Sequence, residues 1–162
     1  MMTRLKRASL PRLRNILVVC VAVFACRQLA AARDVALVTL KNSRPAATRA
    51  ADLSKFIKTT HKWPDGRDLI VVLTDPASQE MRIVSEKLLS LTSGEFRKSI
   101  DAANKGRLVF VVVANDDEVL KTLNANPTAI AFINVYSINS TVDVWKIDGK
   151  LPLDPAYLLH SQ

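Results

Sequence analysis

The chain has 162 residues and carries 23 Lys and Arg against 15 Asp and Glu, but residues 1–32 hold six of the basic side chains, both cysteines and none of the acids. The other 130 residues, with 17 basic and 15 acidic side chains, are close to neutral at +2, so the sequence pI of 9.8 belongs mostly to the first segment. A nucleic-acid partner is thereby excluded, because phosphate neutralisation needs Lys and Arg clustered on the folded part; so are a disulfide, a thiolate nucleophile and a Cys-ligated metal in that part, since Cys20 and Cys26 lie outside it.

Residues 1–32 read as a secretory leader. Arg4, Lys6, Arg7, Arg12 and Arg14 are followed by an apolar run over 16–26 and by Ala30-Ala31-Ala32. Eleven apolar residues are too few to cross a hydrocarbon core, which takes roughly 20. The expectation is export to a periplasmic or extracellular space, with the mature chain starting near Arg33. Val23-Phe24-Ala25-Cys26 also loosely fits a lipobox, which makes a lipid on Cys26 the second choice and the only membrane contact besides the leader. About 130 residues remain as one domain, 33–162, enough to bury roughly two-thirds of its unfolded surface.

Within that domain an apolar run predicts a first strand over 34–40, and Leu53, Phe56 and Ile57 at helical spacing predict a helix over 50–60 after a polar loop containing Pro45. Trp63-Pro64-Asp65-Gly66 is a turn in which Gly66 supplies positive φ and Trp63 packs as a structural residue. A strand over 69–74 follows. Asp75-Pro76-Ala77-Ser78 then opens a helix with Met81, Val84, Leu88, Leu89 and Leu91 on one stripe, and Thr92-Ser93-Gly94-Glu95 is a capping box for a helix over 93–104. The Val-rich run 108–114 reads as a strand covered on both faces. Asn115-Asp116 caps a helix over 117–125, Pro127 stops it, and strands over 129–135 and 142–147 precede an Asp148-Gly149 turn and a loosely held tail. Strands alternating with helices make this an α/β domain with a largely parallel sheet, in which ligands sit at the carboxyl ends of strands.

Enzyme chemistry finds few actors. His61 and His160 both read as solvated surface residues, and no His-x-x-x-His pair, Gly-x-Ser-x-Gly elbow, phosphate loop or dinucleotide fingerprint is present. The acids Asp116, Asp117 and Glu118 read as first-turn residues that offset a helix dipole rather than as metal ligands. The expectation is therefore no enzyme, no cofactor and no metal. One junction has a mechanism: the helix start at Ser78 and Gln79 offers unpaired amides to an anion, with the Ser78 hydroxyl and Arg82 as further donors and Asp75 as an acceptor for a ligand proton. An ordinary cap by Ser78 or Asp75 is the alternative.

Asp52-Leu53 and Phe56 precede Trp63-Pro64-Asp65-Gly66, Ser78 opens a helix, Gly94-Glu95-Phe96 lies in the next, Asp117-Glu118-Val119 leads to Pro127-Thr128-Ala129-Ile130-Ala131-Phe132-Ile133, and Val144-Trp145-Lys146-Ile147-Asp148-Gly149 follows. In this order of motifs the chain resembles the small exported relatives of the phosphate-binding protein of phosphate ABC transporters, in the type II periplasmic binding-protein superfamily. The resemblance implies a single lobe of that fold, with a mainly parallel or mixed sheet of about five strands flanked by helices. Relatives usually have Gly at the positions of Thr128 and Ala131 and Tyr at that of Phe132, and of the phosphate-holding Ser-Gly-Thr only Ser78 is kept, Gln79 and Glu80 replacing the rest. Two functions follow as expectations: a binding module for phosphate or a related small oxyanion, serving uptake or sensing with transporter partners, or a ligand-free lobe that offers a surface to an envelope protein. A helix start free of side-chain carboxylate would favour the first, and an exposed apolar patch the second.

Overall fold

A computed structural model of the chain describes residues 34–43, 48–63 and 65–161. The leader with Cys20 and Cys26, the Pro45 loop and Pro64 of the turn lie outside the described residues. Five strands form one sheet in the order β3-β2-β4-β1-β5: β1 Val35–Leu40, β2 Ile70–Leu73, β3 Phe110–Val112, β4 Ala129–Asn134 and β5 Val142–Val144. β2 pairs in parallel with β3 and β4, whereas β1 is antiparallel to both β4 and β5. The sheet is therefore mixed rather than largely parallel. Alternating strands and helices dictate that helices cover the sheet, but the direction of β1 is set by β4, some 90 residues away, which local pattern does not encode.

Successive side chains of β1 point to opposite faces and both faces are buried. Val35 and Leu37 join Val71, Leu73, Ile130 and Phe132 in one core, while Ala36 and Val38 join Val72, Ala131 and Ile133 in the other. The first core is covered by three helices. They are α1, Ala50–Lys55 continuing through a π-helical turn Phe56–Thr60; α2, Gln79–Ile83 continuing through a π-helical turn Val84–Leu88; and α3, Ser93–Ala103. The second core is covered by α4, Asp116–Ala125, whose Val119 and Leu123 lie over Ala36, Ala129 and Ala131. Three alanines beneath one helix let its backbone approach the sheet closely.

Cap chemistry fixes where these helices start. Thr92 and Glu95 form the expected capping box, Thr92 Oγ1 accepting from the Glu95 amide at 3.3 Å and Glu95 Oε2 accepting from the Thr92 amide at 2.8 Å. That backbone bond, together with the Thr92 hydroxyl, holds the Glu95 carboxyl below the usual carboxylate range. Gly66 takes φ +87° as the turn requires, and Trp63 is structural: its Nε1 donates to the Thr128 carbonyl at 2.8 Å and its ring tilts against Trp145 at 5.7 Å.

Two expectations fail. The run 108–114 yields only a three-residue strand, and it is an edge strand, with Leu108 62% and Val112 48% exposed. Apolar composition alone cannot distinguish a central strand from an edge one. The tail is not loosely held either. Tyr157 and Leu159 are buried in the first core, the Val35 amide donates to the Leu159 carbonyl, and the Ser161 amide donates to Asp34 Oδ1 at 2.8 Å. The carboxylate of buried Asp34 thus holds the tail, and the apolar residues that anchor it are too sparse to signal an element. Burial pushes the Tyr157 hydroxyl pKa up to about 12, against a weaker opposing pull from the Leu37 backbone, which stands outside hydrogen-bonding geometry to it.

Leu159→Ala should remove about 2–5 kcal/mol from the folding free energy, because the docked side chain is fully buried; a cost near zero in urea unfolding would mean that the tail is not part of the core. Gly66→Ala should lose about 1 kcal/mol in the same assay. An added β-carbon there meets no atom within 4 Å, so the loss comes from the backbone conformation alone.

Candidate functional site

The carboxyl ends of β2, β3 and β4 open into a cleft of about 460 Å³ between the starts of α2 and α4. Thr74 follows β2, Ala114 and Asn115 follow β3, Asn134 ends β4, and Ser137 lies just beyond it. This is where the strand order puts a ligand site: β2 is the middle strand of the three parallel ones, so the helices after β2 and β3 begin side by side.

Ser78 and Asp75 both line the cleft, and both are engaged with backbone. Ser78 Oγ accepts from the Met81 amide at 3.2 Å as the N-cap of α2. Asp75 Oδ1 accepts from the Ala77 amide at 2.9 Å and from Arg97 Nη2 at 3.3 Å. Arg97, on α3, has no sequence signal that would link it to Asp75; only the packing of α3 beside the junction brings them together. Gln79 and Arg82 are exposed and do not line the cleft. Arg82 sits on the last turn of the short α-helical part of α2.

The opposite wall is α4. Asn115 Oδ1 caps it by accepting from the Glu118 amide at 3.0 Å, and Glu118 Oε2 accepts from the Ala114 amide at 2.9 Å. Asp116 Oδ2 accepts from the Asn134 amide at 3.1 Å, which ties the helix start to the end of β4. These acids do the capping and dipole work expected of a first turn. Their position also puts Asp116 and Asp117 on the cleft across from Asp75 and Glu80. Four carboxylates and no basic side chain line it among the described residues. A fully ionised anion is repelled there, whereas a ligand that donates hydrogen bonds finds acceptors on both walls.

Neither histidine reaches the cleft, and neither is simply solvated. His160 Nδ1 stands 2.9 Å from Asp34 Oδ1, outside aligned hydrogen-bond geometry. His61 ends the π-helical turn of α1 in the left-handed region at φ 49° and sets its ring edge-on to Phe110 at 6.2 Å. Burial lowers the His61 pKa below its ordinary value, against an opposing hydrogen bond to the Ile57 backbone, and the Arg107 charge lowers it further. No cluster of His, Cys, Asp and Glu with metal-binding geometry occurs among the described residues, and no described helix is long and apolar enough to cross a membrane.

No family model and no curated protein matches the sequence. Solved structures do match the fold. An ABC-type phosphate transport receptor from Vibrio cholerae aligns with a TM-score of 0.56 at 17% identity, over 75% of this chain and 48% of that one. A putative phosphate ABC transporter substrate-binding protein with bound phosphate from Clostridium perfringens aligns at 0.63 and 16%, over 80% and 53%. PstS from Borrelia burgdorferi aligns at 0.60 and 13%, over 81% and 55%. The chain spans about half the length of these proteins, and at such identities the likeness is one of fold: an α/β lobe with a mixed five-stranded sheet, in agreement with the resemblance drawn from the motifs.

The lowered His61 pKa fixes the sign of a pH effect. The unfolded chain takes up this proton more readily, so the stability that depends on a neutral His61 is complete above about pH 6.5 and is lost as the pH falls through the lower folded value. His61→Gln should therefore lose less stability than the parent between neutral and mildly acidic pH. Superimposable pH profiles from denaturant unfolding would contradict the assignment.

Proposed function

We propose that this chain is an exported, non-enzymatic solute-binding lobe whose cleft takes a small oxyanion that still carries a proton, hydrogen phosphate being the candidate. The observation that carries this is the cleft itself: it lies at the strand carboxyl ends between two helix starts, in a fold similar to that of phosphate-transport receptors. Its acidic lining sets the selectivity. The Ser78 hydroxyl and the first-turn amides donate to the anion, while Asp75 accepts the ligand proton, so sulfate, which has none to give at neutral pH, is rejected. Arg82 and Gln79, which do not line the cleft, are not donors in this reading. The Asp75 carboxylate already tied to the Ala77 amide at the helix start counts against tight binding and makes the affinity weak.

A second reading is favoured by a specific surface. Val135, Tyr136, Ile138, Val144 and Leu151–Leu153 line an apolar groove of about 420 Å³, with Tyr136 78% and Leu153 76% exposed. Exposed apolar surface of this kind marks contact with another macromolecule, which is what a lobe that had exchanged its ligand for an envelope partner needs.

Titration calorimetry separates the two. Phosphate near neutral pH should give a saturable heat with a dissociation constant in the millimolar range, sulfate should give none, and Asp75→Asn should reduce the preference. Ser78→Ala should weaken phosphate binding further. Absence of heat with tens of millimolar phosphate would leave Ser78 a plain helix cap and transfer the assignment to the apolar groove.

A further inference from the structure

A second pocket, with no residue in common with the cleft, lies where α1, α2, α3 and β3 meet. It holds about 150 Å³. Ile57 comes from the π-helical turn of α1, Leu89 and Leu91 from the end of α2, Phe96 from α3 and Phe110 from β3. Its rings are already arranged edge to face: Phe96 meets Phe110 at 6.2 Å and 88°, and His61 meets the same Phe110 at 6.2 Å and 78°. A planar aromatic guest extends such a cluster in the geometry that ring quadrupoles prefer, and an apolar cavity of about this volume, lined by Leu, Ile and Phe, is known to accommodate a benzene-sized molecule.

The polar groups of the pocket narrow the guest. Lys58 Nζ donates to the Leu89 carbonyl at 3.0 Å and Ser99 Oγ donates to the Phe96 carbonyl at 2.7 Å, so each already has a backbone partner. His61 is different. Its backbone is clamped, the amide donating to the Phe56 carbonyl and the carbonyl accepting from the Leu69 amide, each at 3.0 Å, and this holds the ring at the rim in an uncommon left-handed conformation. The imidazole lines the pocket, and when neutral it offers one ring nitrogen as an acceptor. An apolar pocket with one convergent polar group is the usual form of a small-molecule site.

We propose that this pocket binds a small, neutral, single-ring aromatic alcohol of the phenol class, with its ring against Leu91, Phe96 and Phe110 and its hydroxyl donating to the His61 imidazole. The site is independent of the oxyanion reading, since it uses none of the same residues. A guest of seven heavy atoms is expected to bind with a dissociation constant on the order of a millimolar, within the wide range that ligand efficiency allows for so small a molecule.

The test is a titration of the protein with phenol followed by amide NMR. Saturable shift changes should concentrate around His61, Leu91, Phe96 and Phe110. Leu91→Trp, which fills the pocket, should abolish them, and Ser99→Leu, which fills it from the α3 wall, serves if the first variant loses its folded spectrum. His61→Phe keeps a ring in place and removes the acceptor, so it should weaken phenol roughly tenfold while leaving toluene nearly unchanged. No saturable shift at tens of millimolar phenol overturns the proposal. So does saturation that survives both filling variants, or a His61→Phe loss that is equal for phenol and toluene.

Discussion

The ladder between β1 and β4 holds the molecule together. Five residue pairs, from Val35 opposite Asn134 to Thr39 opposite Ile130, join two groups of elements that share no other strand pairing among the described residues. On one side β4 carries β2 and β3 and the helices that follow them; on the other β1 carries β5 and, through Asp34 and Val35, the tail. Residues 35–38 are wholly buried, so this seam contributes apolar burial to both cores at once. Thr39 is buried too, but its hydroxyl accepts from Trp145 Nε1 at 3.2 Å, so the end of the strand brings no unsatisfied polar group into the interior.

The cleft inherits its character from that arrangement. Because β2 lies between β3 and β4, the helix starts after β2 and β3 are neighbours, and their capping residues become the walls of a common opening. Caps are rich in Asp and Asn for local reasons, since a short side-chain acceptor satisfies a free amide. When two capped starts converge, the local solution for each helix produces a collective result, an acidic opening with Arg97 held at its margin by Asp75. A fully ionised anion is thus disfavoured by the same side chains that make the helices begin where they do, and any oxyanion that binds must bring a proton or compete with a carboxylate for the amides.

Backbone irregularities shape the second pocket in a similar way. Both α1 and α2 widen into π-helical turns before they end, and both are followed by a residue in the left-handed region, His61 at φ 49° and Ser90 at φ 52°. A π-helical turn adds a residue to the helical circuit, which displaces the side chains after it relative to a regular α-helix. At α1 the result is His61 facing Phe110, and at α2 it is Leu91 folded back, with its amide donating to the Ser85 carbonyl at 2.9 Å. The pocket lies between these two endings.

Much of this was determined by sequence alone. The α/β class, the approximate span of most elements, the Thr92–Glu95 capping box, positive φ at Gly66 and the structural use of Trp63 and Asn115 all follow from side-chain chemistry acting over a few residues, which is why they are legible without a fold. The packing of Ser78 as a cap is legible for the same reason. What lay beyond reach involves partners distant in the chain. The antiparallel direction of β1, the edge position of β3 with Leu108 and Val112 in solvent, the docking of the tail on Asp34, and the meeting of Asp75 with Asp116, Asp117 and Arg97 each depend on which strand lies beside which. Local propensity says where a strand or a cap forms; only the closing of the sheet around β1 and β4 decides what faces it, because burial and charge at each position are properties of the neighbours that tertiary structure supplies.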